Sequence, residues 1–208
     1  MSVAGKLASA LGRNDERPNV ELAQALAAKS DKAAVGELVE LLSTGTTPQQ
    51  NDAIKVLYEL GALKPAAIGP HLPAFLLLLK SKNNRNVWGA LQAVDAVVGE
   101  DPKAVLKALP EILSAADKGS VIAKDKAMSI LSQLAAAGHG KQALPVFLDR
   151  LAASADNQFP MYAEFGAPVI DAPNRARLVE IIEARLPKLP PAKQARLGKL
   201  LRKLSKSS

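Results

Sequence analysis

The sequence contains no cysteine, which excludes disulfides, thiolate metal ligands and thiol nucleophiles at the outset. It holds two histidines and only 3% aromatic residues. The apolar share, 48%, is therefore carried mostly by alanine and leucine, both strong helix formers. A β-sandwich or barrel would ask for more Val, Ile, Thr, Tyr and Phe. Long apolar runs are missing too. The most apolar stretch, Leu72 to Leu79, includes Pro73 and falls far short of the roughly 20 residues that span a bilayer. Met1 to Arg17 has no continuous apolar core of signal-peptide length, so a soluble, cytoplasmic protein without a membrane span is expected. With 208 residues and 23% charged side chains, the composition is that of a folded helical chain.

What is present is a repeat. Leu-Pro pairs stand at Leu72-Pro73, Leu109-Pro110 and Leu144-Pro145, with the prolines 37 and 35 residues apart. Ala53, Ala90 and Ala127 recur at intervals of 37 and open a second apolar segment in each unit. Around them the apolar positions align in columns. The first helix of each unit supplies Val35, Leu72, Leu109 and Leu144, then Leu38, Phe75, Ile112 and Phe147. Val39, Leu76, Leu113 and Leu148 follow, then Leu42, Leu79, Ala116 and Leu151. Within one unit these fall at i, i+3, i+4 and i+7, a single helical stripe. The second helix supplies Ile54, Leu91 and Met128, then Leu57, Val94 and Leu131, then Leu60, Val97 and Leu134.

The joints carry their own signals. Thr47-Pro48-Gln49-Gln50 predicts a capping threonine ahead of a first-turn proline, and Asp101-Pro102 repeats the device. Gly61, Gly99, Gly119 and Gly138 are expected where helices stop. The prolines inside the first helices are expected to kink them, because each removes a backbone donor and crowds the preceding turn. Asn19 to Lys29 reads as a lone helix covering the first unit. Past Leu151 the register fails at Phe159-Pro160 and Gly166-Ala167-Pro168, and helices near Asn174–Leu186 and Ala192–Leu204 are expected to seal the end.

These columns, with a proline bending the first helix, resemble the HEAT-repeat family of armadillo-like α-solenoids over roughly Ala33 to Ala153. Gly36 departs from the pattern at the first proline slot, and Ser81-Lys82-Asn83-Asn84-Arg85-Asn86 does not keep the family's Asp and Arg ladder cleanly. The resemblance implies an all-α fold: a right-handed superhelical α-solenoid of about five helix pairs with capping helices. The chain is then one domain, with residues 1–30 a tail and cap helix, 31–153 regular repeats and 154–208 a degenerate repeat with a basic cap. HEAT arrays serve unrelated partners, so the fold leaves the activity open. Their second helices line the concave face, which here implies a partner-binding groove of Asn51, Lys55, Tyr58, Trp88, Gln92, Asp95, Asp125, Ser129 and Ser132. Trp88 is the expected anchor, because a large ring on a polar ridge is the kind of residue that dominates binding. Its alternative is a place in the core between repeats.

The sequence offers little for catalysis. His71 and His139 lie at expected helix junctions without acidic or sulfur companions at ligand spacing, so no metal and no cofactor are expected. Gly138-His139-Gly140-Lys141 lacks the strand and spacing of a phosphate loop. Some HEAT-like proteins excise alkylated DNA bases with aromatic rings and a carboxylate, but here Gln92 stands one turn beyond Trp88. A non-enzymatic scaffold that binds another protein is the expected function.

Charge suggests the alternative. Of the net +7, residues 173–208 hold ten lysines and arginines against Glu180 and Glu183, a net +8, which leaves −1 for the rest. On the last helix Arg196, Lys199 and Lys203 recur at i, i+3 and i+7, with Arg202 beside them. Lys80, Lys82 and Arg85, then Lys118, Lys124 and Lys126, fall on successive loops that a stacked array would bring to one edge. Such cations suit nucleic acid or an acidic protein surface, and equally a solvated cap.

Overall fold

The computed structural model describes residues 2–206, and within them all regular structure is helical. A 3₁₀ turn at Ala4–Lys6 precedes α1 (Arg17–Lys29), α2 (Lys32–Thr44), α3 (Thr47–Leu63) and α4 (Pro65–Ile68). A second 3₁₀ turn, Gly69–His71, leads into α5 (Leu72–Leu78) and α6 (Asn84–Val97). Then come α7 (Pro102–Lys107), α8 (Leu109–Lys118), α9 (Val121–Leu134), a π-type turn at Ala135–His139 and α10 (Gly140–Ala153). The chain ends with α11 (Phe159–Gly166), α12 (Ala172–Arg185), a 3₁₀ turn at Leu186–Lys188 and α13 (Pro191–Lys206). None of these helices is long and apolar enough to cross a membrane among the described residues.

The chain packs as two compact units, Met1–Ala127 and Met128–Ser208, divided within α9. In the first unit α3 is the hub, packed against α1, α2 and α6, with α5 also lying on α6. In the second, α10 packs on α11 and α12, and α13 on both α11 and α12.

Burial follows the repeat columns. The column from Val35 to Leu144 is buried throughout, and the column from Leu38 to Phe147 is sealed completely. The three second-helix columns are buried as well. One column differs: Leu148 is fully buried, but Val39, Leu76 and Leu113 are half-exposed, because they sit at the edge of the stripe.

The prolines act where their chemistry predicts, with one exception. Helices α4 and α5 part just before Leu72-Pro73, and α7 and α8 part at Ala108 before Leu109-Pro110. With Gly36 in place of proline, α2 runs unbroken. Pro145, however, sits inside a continuous α10.

The caps also need one shift. Thr46, not Thr47, is the cap of α3, and its backbone N–H donates to Gln49 Oε1 at 2.9 Å. Asp101 does cap α7, accepting from the Ala104 N–H at 2.9 Å. Asp31 and Asp171 cap α2 and α12 in the same way. Of the four glycines expected at stops, Gly138 alone uses left-handed backbone, at φ +91°. Gly61 lies inside α3, where a Cβ would meet Ile68 Cδ1 at 2.5 Å, so it is there for close packing of α3 on α4.

The segment before α1 is docked on the helices. Val3, Leu7 and Ala8 are buried, and the Val3 and Ala4 amides donate to the Glu37 carboxylate at 2.9 and 3.1 Å. A polar network fastens it further. Asn19, fully buried, accepts from the Ala8 N–H at 3.0 Å and donates to Asp52 Oδ1 at 2.7 Å, while Ser9 N–H donates to Asp52 Oδ2 at 2.7 Å. Buried polar groups are as a rule hydrogen-bonded, and these three bonds serve the Asn19 amide and both Asp52 oxygens.

Candidate functional site

In the first unit, α3 presents Asn51, Lys55 and Tyr58 at i, i+4 and i+7, and α6 presents Trp88, Gln92 and Asp95 at the same intervals. Because α3 packs on α6, the two rows meet. The Tyr58 and Trp88 rings lie 5.8 Å apart between centroids, tilted by 52°, a favourable aromatic geometry. Tyr58 is buried and Trp88 half-buried, so only the indole offers substantial contact area. Burial pushes the Tyr58 phenol above its ordinary value.

Asn51, Lys55 and Asp95 on the ridge are engaged with their own neighbours. Lys55 Nζ sits 4.9 Å above the Tyr58 ring and pairs with Glu59 at 2.7 Å and Glu16 at 3.1 Å. Burial alone would lower the Lys55 ammonium, but the bonds to Glu59, Tyr58 and Glu16 outweigh it and hold the group above its usual range. Asn51 Oδ1 accepts from Asn83 Nδ2 at 2.8 Å, and Asn86 Nδ2 donates to Gln50 Oε1 at 3.2 Å. Asp95 is ion-paired with Lys126 at 2.7 Å. Asp125 is half-buried in α9 and has partners of its own. Ser129 and Ser132 belong to the second unit, where Ser132 Oγ donates to the Phe165 carbonyl at 2.7 Å and Ser129 Oγ accepts from Gln133 at 3.3 Å.

The expected cation row is split by the same logic. Arg85 pairs with Glu16 and Lys126 with Asp95, whereas Lys80, Lys82, Lys118 and Lys124 are exposed. Glu16, clasped by both Lys55 and Arg85, is a residue that sequence reasoning missed. Nothing in its periodicity marks it, since it precedes α1 and reaches the ridge only through the docked N-terminal segment.

In the second unit, α13 docks through Leu197 and Leu204 and keeps Arg196, Lys199, Arg202 and Lys203 exposed. Arg196 makes a two-pronged bond with Glu164 of α11, with Nε donating to Oε1 at 2.7 Å. That contact holds the Glu164 carboxyl below its usual range. Arg196, Lys199 and Lys203 share one pocket with Glu164 and Arg175, the latter from α12. Arg202 instead faces the shallower cleft between α12 and α13. No group of three or more His, Asp or Glu stands at metal-holding geometry among the described residues.

These features define an all-helical protein with an aromatic ridge in one unit and a cationic pocket in the other. No family model matches the chain, and no curated protein matches it. Among solved structures it is similar to the crystal structure of an engineered protein from the Northeast Structural Genomics Consortium. The two superpose with a TM-score of 0.66 over 99% of this chain and 98% of that one, at 16% sequence identity. At that identity the likeness shows the fold alone.

Proposed function

We propose that this chain is a non-enzymatic, cytoplasmic scaffold of the HEAT-repeat type, a right-handed solenoid that binds a protein partner along the ridge of α3 and α6. The observation that carries this reading is Trp88. Its ring is braced by Tyr58 at 5.8 Å yet remains half-exposed among side chains whose charges are already matched. A rigid aromatic on a charge-balanced surface suits a protein surface better than a polyanion. Asp95, the carboxylate that base excision would call on, is tied to Lys126, which favours a structural duty for it. The test is capture from nuclease-treated lysate by wild type and by Trp88→Ala, after matching their thermal unfolding. Loss of the wild-type partner in the variant is expected. Undiminished capture removes the ridge as the site.

Nucleic acid is the second reading, favoured by the exposed Lys80, Lys82, Lys118 and Lys124 on one unit. Titrating duplex DNA at several salt concentrations separates the two. Phosphate contacts produce a log–log slope of about −0.9 per neutralised charge.

A further inference from the structure

Two connections of the first unit expose aliphatic side chains beside lysines. In the link from α5 to α6, Leu77 is 71% exposed, and the Lys80 N–H donates to its carbonyl at 3.2 Å, so the two share one turn. Lys82 follows, exposed as well. In the link from α8 to α9, Val121 is 53% exposed and Ile122 48%, with exposed Lys118 before them and exposed Lys124 after. Helix α6, which begins at the first link, packs on α8, which ends at the second. The core takes little from these aliphatics: Phe75 and Leu79 on one side and Ala123 on the other do the burying. Asp117 and Asp125, the carboxylates nearest the second link in sequence, have partners of their own. A lone exposed aliphatic is ordinary, but three of them among four exposed lysines make a surface with two chemistries.

We propose that this edge docks the protein on a membrane surface containing anionic phospholipid, with Leu77, Val121 and Ile122 entering the headgroup boundary. A bilayer uses both chemistries. Ammonium groups on flexible stems meet lipid phosphates without a fixed register, and the aliphatic carbons leave water. Nucleic acid would engage the lysines through its phosphates but leave the aliphatics in water. A protein interface favours arginine and aromatic residues and is poor in lysine. Arg85, the arginine that follows the first link, is bound to Glu16. Docking of this kind needs no spanning helix. The surface lies wholly within the first unit and stands whether or not the Trp88 ridge takes a partner.

The test is co-sedimentation of the full chain with phosphatidylcholine vesicles, with and without about 30% phosphatidylserine. Binding is expected to the anionic vesicles and should weaken as salt rises. Lys118→Gln with Lys124→Gln, and separately Lys80→Gln with Lys82→Gln, should lose about fivefold in affinity per lysine. Val121→Ser with Ile122→Ser changes no charge and should lose about tenfold. Ile122→Ser alone carries that comparison if the double variant melts at a lower temperature than wild type. Lys103→Gln with Lys107→Gln, which removes two charges from α7, should bind as wild type does. The proposal is overturned by binding that ignores phosphatidylserine, by full binding of the serine variants, or by an equal loss in the α7 variant, which marks diffuse charge. Duplex DNA is titrated alongside at the same salt. Tighter binding to DNA than to vesicles, untouched by the serine substitutions, also overturns it and gives the lysines to nucleic acid. Each of these outcomes leaves the Trp88 ridge to its own test.

Discussion

Asn19 is the residue on which the N-terminal docking turns. Its amide joins the Ala8 backbone to Asp52, across helices that share no sequence neighbourhood. Asn19→Leu would keep the volume but strand a buried amide hydrogen and a carboxylate oxygen. We expect a loss of about 2–4 kcal/mol in urea unfolding, in keeping with buried polar groups left unmet. Gly61 makes the converse point, since there the missing atom matters. An added methyl would press on Ile68 Cδ1 at 2.5 Å and on the Ala96 side chain at 3.1 Å, so Gly61→Ala should cost about 1–3 kcal/mol. Combining it with Ile68→Val should recover part of that loss, and strict additivity of the two changes would show that they do not touch. Neither position stood out by residue type: Asn19 read as the first residue of a surface helix and Gly61 as a stop.

Among the elements, the segment at Ala4–Lys6 has an attachment that depends on pH. Ser2 and the Val3 and Ala4 amides all donate to Glu37, and the Ser2 bond first, then the backbone bonds, hold that carboxyl below its ordinary value of 4.5. A depressed folded-state pKa contributes stability that is present above the unfolded value and is lost as pH falls through the folded one. Docking should therefore be full at neutral pH and weaken in acid below the glutamate range. Amide exchange at Val3 to Leu7 reads it directly, and Glu37→Gln should reproduce the acid behaviour at neutral pH. Unchanged protection in that variant would assign the docking to Val3 and Leu7 burial alone. Two of the expected proline breaks were legible in advance because proline acts locally: α4 and α5, then α7 and α8, part beside their prolines, whereas α10 runs through Pro145. Asp101→Ala should remove the cap of α7 at a cost of about 1 kcal/mol, seen as a lower melting temperature.

For the whole molecule, charge is the property most open to misreading. The strongly basic total resides in residues 173–208, and several cations elsewhere are neutralised by Glu16 and Asp95. On the scaffold reading, duplex DNA should bind no more tightly than the non-specific range of about 10⁻⁴–10⁻⁶ M at physiological salt. Nanomolar affinity in a fluorescence anisotropy titration would transfer the function to nucleic acid.

Periodicity settled the helical class, the closing helices and all the buried columns except that of Val39, Leu76 and Leu113, because a 3.6-residue stripe and a 37-residue interval are properties of the chain read in order. The pairing of polar side chains was settled elsewhere. Glu16 with Lys55 and Arg85, Asp95 with Lys126, and Glu164 with Arg196 join residues tens of positions apart, through long side chains that reach in many directions. Which of them meet depends on how helices stack and on where the N-terminal segment lies down. That stacking left Trp88 half-exposed on a ridge of matched charges and gathered Arg175 with Lys199 and Lys203 around one pocket, and no linear spacing encodes either result.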